Sequence, residues 1–241
     1  MRIDKLLSVC GVATRSESAK AAKAGRITVN GVAERSPARQ IDETKDVVCF
    51  DGVRVAYSKH IYIMLNKPEG YVSATEDGRD PTVLELIPEE ARRAGMFPCG
   101  RLDKNTLGLM LLTDDGELAH RLLAPKRHVE KKYRFGCRDE VSEDDRQALE
   151  NGLRLADGYV TKPATIELFD DRKSGIITLH EGKYHQIKRM FGAVNDNRII
   201  FLERITFGPL TLDAKLARGE WRYLDDAEVD ALTEAGSNRF N

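Results

Sequence analysis

Gly100-Arg101-Leu102-Asp103-Lys104-Asn105-Thr106-Leu107-Gly108 runs directly into Leu109-Met110-Leu111-Leu112-Thr113-Asp114-Asp115-Gly116. The first part is a polar loop that sets a cation and a carboxylate two residues apart. The apolar run over residues 107–112 has the length of a fully buried strand. Thr113 to Gly116 then predicts a turn whose Asp-Gly pair suits positive φ. Asp-x-x-Thr is good turn chemistry, because the carboxylate can bond nearby backbone N–H groups. On chemistry alone, Asp103 reads more readily as a turn residue than as a catalytic one.

Outward from this stretch, residues 117–123 carry Leu118, Ala119 and Leu122 at helical spacing, with Pro125 as the stop. Residues 128–135 alternate as a strand that puts Val129, Lys131, Tyr133 and Phe135 on one face. Upstream, residues 61–65 predict a buried strand that ends in the turn Asn66-Lys67-Pro68-Glu69-Gly70, where Lys67 taken alone reads as surface. Residues 89–94 predict a helix. Downstream, residues 140–152 predict a helix with Ser142 as its cap. Residues 164–169 and 175–179 predict two strands. Residues 181–190 predict a strand-to-helix transition dense in cations, although cations at a helix N-terminus oppose its dipole. Residues 202–205 and 207–212 predict strands, residues 221–224 a core segment, and Asp225 caps a final acidic helix.

The N-terminal region has its own grammar. Residues 3–10 predict a helix closed by Gly11, and Thr14-Arg15-Ser16-Glu17 is a capping box opening a helix that stops at Gly25. Residues 26–29 predict a strand, Asn30-Gly31 a hairpin turn, and residues 47–50 a further short strand before Asp51-Gly52. Polar residues 53–60 form a join, so the chain divides at about residue 58 into domains 1–58 and 59–237.

The formal net charge is only −1, but the charge is segregated. Residues 1–41 carry eight Lys/Arg against three acids, and residues 121–138 carry seven against Glu130 alone. Residues 225–237 hold five acids and no base. Such segregation suits one face that meets a polyanion. Cys10, Cys49, Cys99 and Cys137 make no close pair, which disfavours a zinc site or a redox dithiol. His180 and His185, five apart with no Cys or Asp beside them, make a weak metal pair. Without an apolar span or signal peptide, the sequence points to a cytoplasmic protein with no membrane association.

The words Gly-Arg-Leu-Asp-x-x-Thr-x-Gly-Leu and Leu-Leu-Thr-Asp-Asp-Gly resemble the active-site signature of RNA pseudouridine synthases, closest to the small-ribosomal-subunit branch. Asn-Lys-Pro-x-Gly around Lys67, Glu-Lys-x-Tyr around Tyr133 and Gly-Lys-x-His-Gln-Ile-Lys ending at Lys188 match further motifs of that family in its order. The N-terminal segment resembles an S4-type RNA-binding domain. The resemblance implies an α+β fold: the small S4-type unit, then a catalytic domain on a mixed, mainly antiparallel sheet with flanking helices. It assigns catalytic roles to Asp103, Tyr133 and Lys188. Here Asp103 is the essential carboxylate, Tyr133 stacks on the target uracil, and Lys188 pairs with Asp103 and keeps it ionised. It places Arg101, Lys67, Gln186 and Arg189 on the RNA. Arg15, Lys20, Lys23 and Arg26 would lie along phosphates, contacts with little sequence information.

The expected activity is conversion of uridine to pseudouridine in ribosomal RNA, with the nucleotide flipped out and no cofactor. The expected substrate is 16S rRNA in a pre-ribosomal particle, and the expected state a monomer. Enzymes acting on 23S rRNA share every motif, so that substrate stays open. A non-catalytic RNA-binding ribosome-assembly factor would keep the basic faces but has no need of an intact Arg101, Asp103, Tyr133 and Lys188. A glycosidase or nucleosidase would want a second carboxylate about 5–10 Å away, and none is singled out.

Overall fold

The structure is a computed structural model describing residues 1–43, 45–55, 59–124 and 129–237, with only the backbone of Val9 described. Pro125, His128 and the middle of the join, residues 56–58, lie outside the described residues. The chain divides into two compact units, Met1–Lys59 and His60–Asn241.

In the first unit, α1 (Ile3–Val9) and α2 (Arg15–Lys23) precede a four-stranded antiparallel sheet. Its strands are β1 (Ile27–Val29), β2 (Val32–Ala33), β3 (Val48–Phe50) and β4 (Val53–Arg54), in the order β2-β1-β3-β4. The local signals act as read. The Thr14 hydroxyl accepts from the Glu17 N–H at 3.3 Å, and the Glu17 carboxylate accepts from the Thr14 N–H at 2.8 Å. Asn30 and Gly31 adopt φ of 52° and 80°, the two left-handed residues of a tight hairpin.

The second unit is one mixed sheet of nine strands: β5 (Tyr62–Lys67), β6 (Phe97–Pro98), β7 (Leu107–Thr113), β8 (Lys131–Cys137), β9 (Thr165–Leu168), β10 (Ser174–Leu179), β11 (Ile199–Phe207), β12 (Leu210–Thr211) and β13 (Trp221–Tyr223). The main order is β13-β5-β7-β11-β8-β10-β9, with β6 on β7 and β12 on β11. Among the named strands of this sheet every pairing is antiparallel except β7 with β11, where Leu107 lies opposite Glu203 and Gly108 opposite Arg204. Helices α3 (Gly116–Leu123), α4 (Glu143–Asn151), α5 (Gln186–Ala193) and α6 (Asp226–Ser237) complete the unit.

The alternation of side chains along a strand explains both layers. On β7, Met110 and Leu112 enter a core shared with Leu149 of α4 and Met190 and Phe191 of α5. Leu109 and Leu111 enter the opposite core, shared with Leu118 and Leu122 of α3 and Leu232 of α6. The uninterrupted apolar run is therefore a strand covered on both faces. At its start, Gly108 has φ +98°, and a Cβ there would sit 2.3 Å from the Arg204 carbonyl oxygen. Only a residue without a side chain lets β7 and β11 approach so closely.

Four local expectations are corrected. Asp115-Gly116 is not a positive-φ turn: Asp115 caps α3, its carboxylate accepting from the Leu118 N–H at 2.9 Å. The strand expected over residues 61–65 continues through Lys67, because Asn66 and Lys67 still pair with Leu109 and Gly108. The helix expected over 89–94 is a single turn, Glu89–Ala91. Tyr223 is half-exposed instead of core, since β13 is the outermost strand.

Candidate active site

The loop between β6 and β7 is fixed from beneath. Lys67, at the end of β5, has no exposed surface, and its ammonium donates to the carbonyls of Pro68 at 3.0 Å, Lys104 at 3.0 Å and Thr106 at 2.9 Å. All three of its N–H bonds are used, two of them on the Asp103 loop. Burial pushes its pKa down to about 8, with Asp103 opposing, so at neutral pH it is still the ammonium those carbonyls require. Lys67 is thus a buried anchor, and its expected placement on the RNA is corrected: a side chain sealed beneath the loop cannot meet a phosphate. Ser73 ties the same loop from the side, its hydroxyl donating to the Leu102 carbonyl at 2.8 Å and accepting the Leu102 N–H at 3.0 Å.

These ties free the Asp103 side chain. The turn is closed by main chain, the Thr106 N–H donating to the Asp103 carbonyl at 3.0 Å. Among the described residues, no backbone N–H bonds the Asp103 carboxylate. Instead Oδ2 lies 3.0 Å from Lys188 Nζ and Oδ1 lies 3.5 Å from His185 Nε2. Lys188 stands in the first turn of α5, where a cation opposes the helix dipole, and the carboxylate offsets that conflict. His185 caps α5 in the left-handed region at φ 49°, ψ 33°. That conformation, disfavoured for any residue with a Cβ, aims its ring at Asp103.

Asp103, Lys188 and His185 share a cleft of about 620 Å³ with Arg101 and Tyr133. Six of its lining residues are Lys or Arg, against three acidic ones, so the cleft is electropositive and suits a phosphate-bearing ligand. Arg101 is exposed there, with no ion pair among the described residues. The Tyr133 ring is in the wall, 9% exposed. The remaining expected residues lie differently. Gln186 lines the cleft but is buried, accepting the Lys183 N–H at 2.9 Å and donating to Glu181, so both ends of its amide are engaged in shaping the loop. Arg189 is paired with Asp157 at 2.5 Å and lines no part of the cleft. Arg15, Lys20, Lys23 and Arg26 are exposed on the first unit, where Arg26 is already paired with Asp51. His180 lies 3.9 Å from Glu130, a different neighbour from that of His185. Among the described residues no three metal-type side chains converge.

Two buried cations of the cleft carried no site assignment in the sequence. Arg204 is 1% exposed, its Nε donating to the Leu109 carbonyl at 2.7 Å, and Lys131 is 4% exposed, donating to the Val129 carbonyl at 2.9 Å. Lys131 stands in the Glu-Lys-x-Tyr word and on the face of Tyr133, but neither signal predicts its burial, which for both cations comes from strands distant in sequence. Burial, then Arg204, push Lys131 down to about 7 from its ordinary 10.5. Between those values the unfolded chain holds a proton that the folded chain has released, so stability rises with pH. The melting temperature is therefore expected to climb from pH 7 to 9, and Lys131→Met should flatten that climb. An equal climb in both proteins would remove Lys131 as its source.

With this geometry in hand, known proteins offer direct comparison. A family model described as RNA pseudouridylate synthase matches residues 61–193, and one described as S4 domain matches residues 1–48. The chain is 43% identical to an uncharacterized RNA pseudouridine synthase of Bacillus subtilis, covering 97% of this chain and 99% of that protein. It is 40% identical to the ribosomal small subunit pseudouridine synthase A of Pasteurella multocida, over 95% and 98%. The Escherichia coli protein of that name is 38% identical over 96% and 100%. A crystal structure of a pseudouridylate synthase superposes with a TM-score of 0.67 at 36% identity, covering 96% of this chain and 99% of that one.

Proposed function

We propose, from the premise that the chain belongs to the RNA pseudouridylate synthase family, that it converts one uridine of small-subunit (16S) ribosomal RNA to pseudouridine, with Asp103 as the catalytic carboxylate. The observation that carries this reading is the Asp103 side chain, free of its own turn, held between Lys188 and His185 in an electropositive cleft. The small-subunit assignment is supported by the names of the relatives that match along nearly their whole length.

The reaction is an isomerisation. The bond from ribose C1′ to uracil N1 breaks, the uracil turns, and C1′ bonds to C5; the C5 proton is lost and N1 gains one. Atoms and charge balance without a co-reactant. These atoms are hidden in stacked RNA, so the nucleotide must swing into the cleft. Arg101, exposed at the loop, would fill the vacated space or hold a phosphate with its flat guanidinium. Lys188, 3.0 Å from Asp103 Oδ2, would hold the carboxylate in position for its role at the ribose or base. The Tyr133 ring, in the cleft wall, would lie against the uracil. Lys67 acts at a remove, keeping the loop in place.

Pseudouridine mapping on small- and large-subunit rRNA, after incubation with the parent protein, tests the proposal. One new site on small-subunit rRNA is the expected result. A site on large-subunit rRNA would move the substrate, and tight binding with no site on either would leave an RNA-binding protein without this activity.

A further inference from the structure

One part of the cleft is not used by the chemistry at Asp103. Tyr184 lines its rim and is 67% exposed, unusual for an aromatic side chain inside a binding cleft. Its ring stacks on that of His185, with centroids 3.8 Å apart and planes 17° apart. The other face of the tyrosine is left to solvent, and the histidine beneath is the same one that reaches Oδ1 of Asp103.

The arrangement is held in place. The left-handed backbone of His185 fixes the ring direction. Arg189, itself anchored on Asp157, donates to the Tyr184 carbonyl at 3.3 Å. The loop is pinned on the other side by the Lys183 N–H on Gln186. A flat apolar face is thus displayed beside the carboxylate, in a cleft whose cations suit phosphates. An unpaired nucleobase matches that face, because every base has a π surface to offer an aromatic ring.

We propose that Tyr184 is a stacking platform for the base of a nucleotide next to the target uridine, with His185 as the ring that seats it beside Asp103. The proposal rests on the RNA-modifying reading of this cleft. It adds a subsite that captures the neighbour of the extruded nucleotide and so helps hold the RNA backbone in its flipped path. Stacking of this kind contributes affinity with little choice among bases.

The test is equilibrium binding and steady-state kinetics on in vitro transcribed small-subunit rRNA, with the parent protein and with Tyr184→Phe, Tyr184→Leu and Tyr184→Ala. Loss of the ring is expected to raise Kd and KM about 5- to 100-fold, the span of base–aromatic stacking, with a smaller change in kcat. Tyr184→Phe should recover most of the affinity. Tyr184→Leu keeps apolar bulk without a ring and should resemble Tyr184→Ala. Equal melting temperatures would show that an exposed side chain was removed without harm to the fold, and if Tyr184→Ala fails to fold, the Phe and Leu pair gives the same comparison. Parental Kd and KM in Tyr184→Leu, or a Tyr184→Phe as weak as Tyr184→Leu, would overturn the platform. A parent protein that makes no pseudouridine defeats the enzymatic reading instead, and the Kd comparison still decides the stacking.

Discussion

Asp103→Asn is expected to lower kcat by at least about three orders of magnitude, while folding and RNA affinity stay close to the parent's. The amide matches the carboxylate in size and shape, so the loop held by Lys67 and Ser73 has no reason to move. What disappears is the anion, and with it the capacity to attack the ribose or take a proton. The ion pair with Lys188 goes too, but the two side chains are 24% and 32% exposed, and a pair screened to that degree contributes under about 1 kcal/mol. A melting temperature within a few degrees of the parent's is therefore part of the expectation. Lys188→Met, by comparison, should cost about 10- to 100-fold, because the carboxylate stays in the cleft beside His185 but loses the cation that positions it. Single-turnover assays on the mapped rRNA site separate these cases. An Asp103→Asn protein keeping a tenth of parental kcat would take the catalytic role away from this carboxylate.

Gly108→Ala should be the most damaging small substitution for the fold. At φ +98° an alanine is strained, and its Cβ would meet the Arg204 carbonyl oxygen at 2.3 Å and the Arg204 nitrogen at 2.9 Å. Main-chain atoms of a central strand cannot step aside as a flexible side chain can. The clash must open the junction of β7 and β11, and the expected cost is at least about 4 kcal/mol, enough to leave much of a marginally stable chain unfolded. Gly192→Ala is the control. That glycine is exposed in α5 with nothing within 4 Å of a built Cβ, so alanine should stabilise by about 0.5–1 kcal/mol. Urea midpoints measure both. A Gly108→Ala midpoint matching the parent's would mean the two strands have room to spare.

What could be read from the sequence was what neighbours decide. The capping boxes at Thr14, Ser142 and Asp225 satisfy donors three residues away, and all three form. The apolar run at residues 107–112 announced a covered strand because only such a strand needs apolar groups on both faces. Lys67 could not be read. Its acceptors at residues 104 and 106 are nearly forty positions away, so nothing beside it marks a buried ammonium. Arg204 was equally silent, a lone cation in an ordinary strand until β7 and β8 close over it. Asp115-Gly116 misled for the opposite reason: the same pair serves a hairpin or a helix start, and only α3 packing beneath β7 selects the second. His185 carried two signals, a motif letter and a metal type, and neither reveals a left-handed backbone that delivers its ring to a carboxylate.

The parallel junction between β7 and β11 also sets a clock for the growing chain. Asp103 leaves the ribosome about a hundred residues ahead of Glu203 and Arg204, the strand its own strand must adjoin. At roughly 5–20 residues per second, the loop waits about 5–20 s before the wall opposite exists. Lys188, which holds the carboxylate, emerges only shortly before that strand. During this interval the nascent protein carries every letter of its central motif and no assembled cleft. A message cut short before residue 199 would yield chains that can never close it, so the reaction is withheld until translation has passed the last strand that builds it.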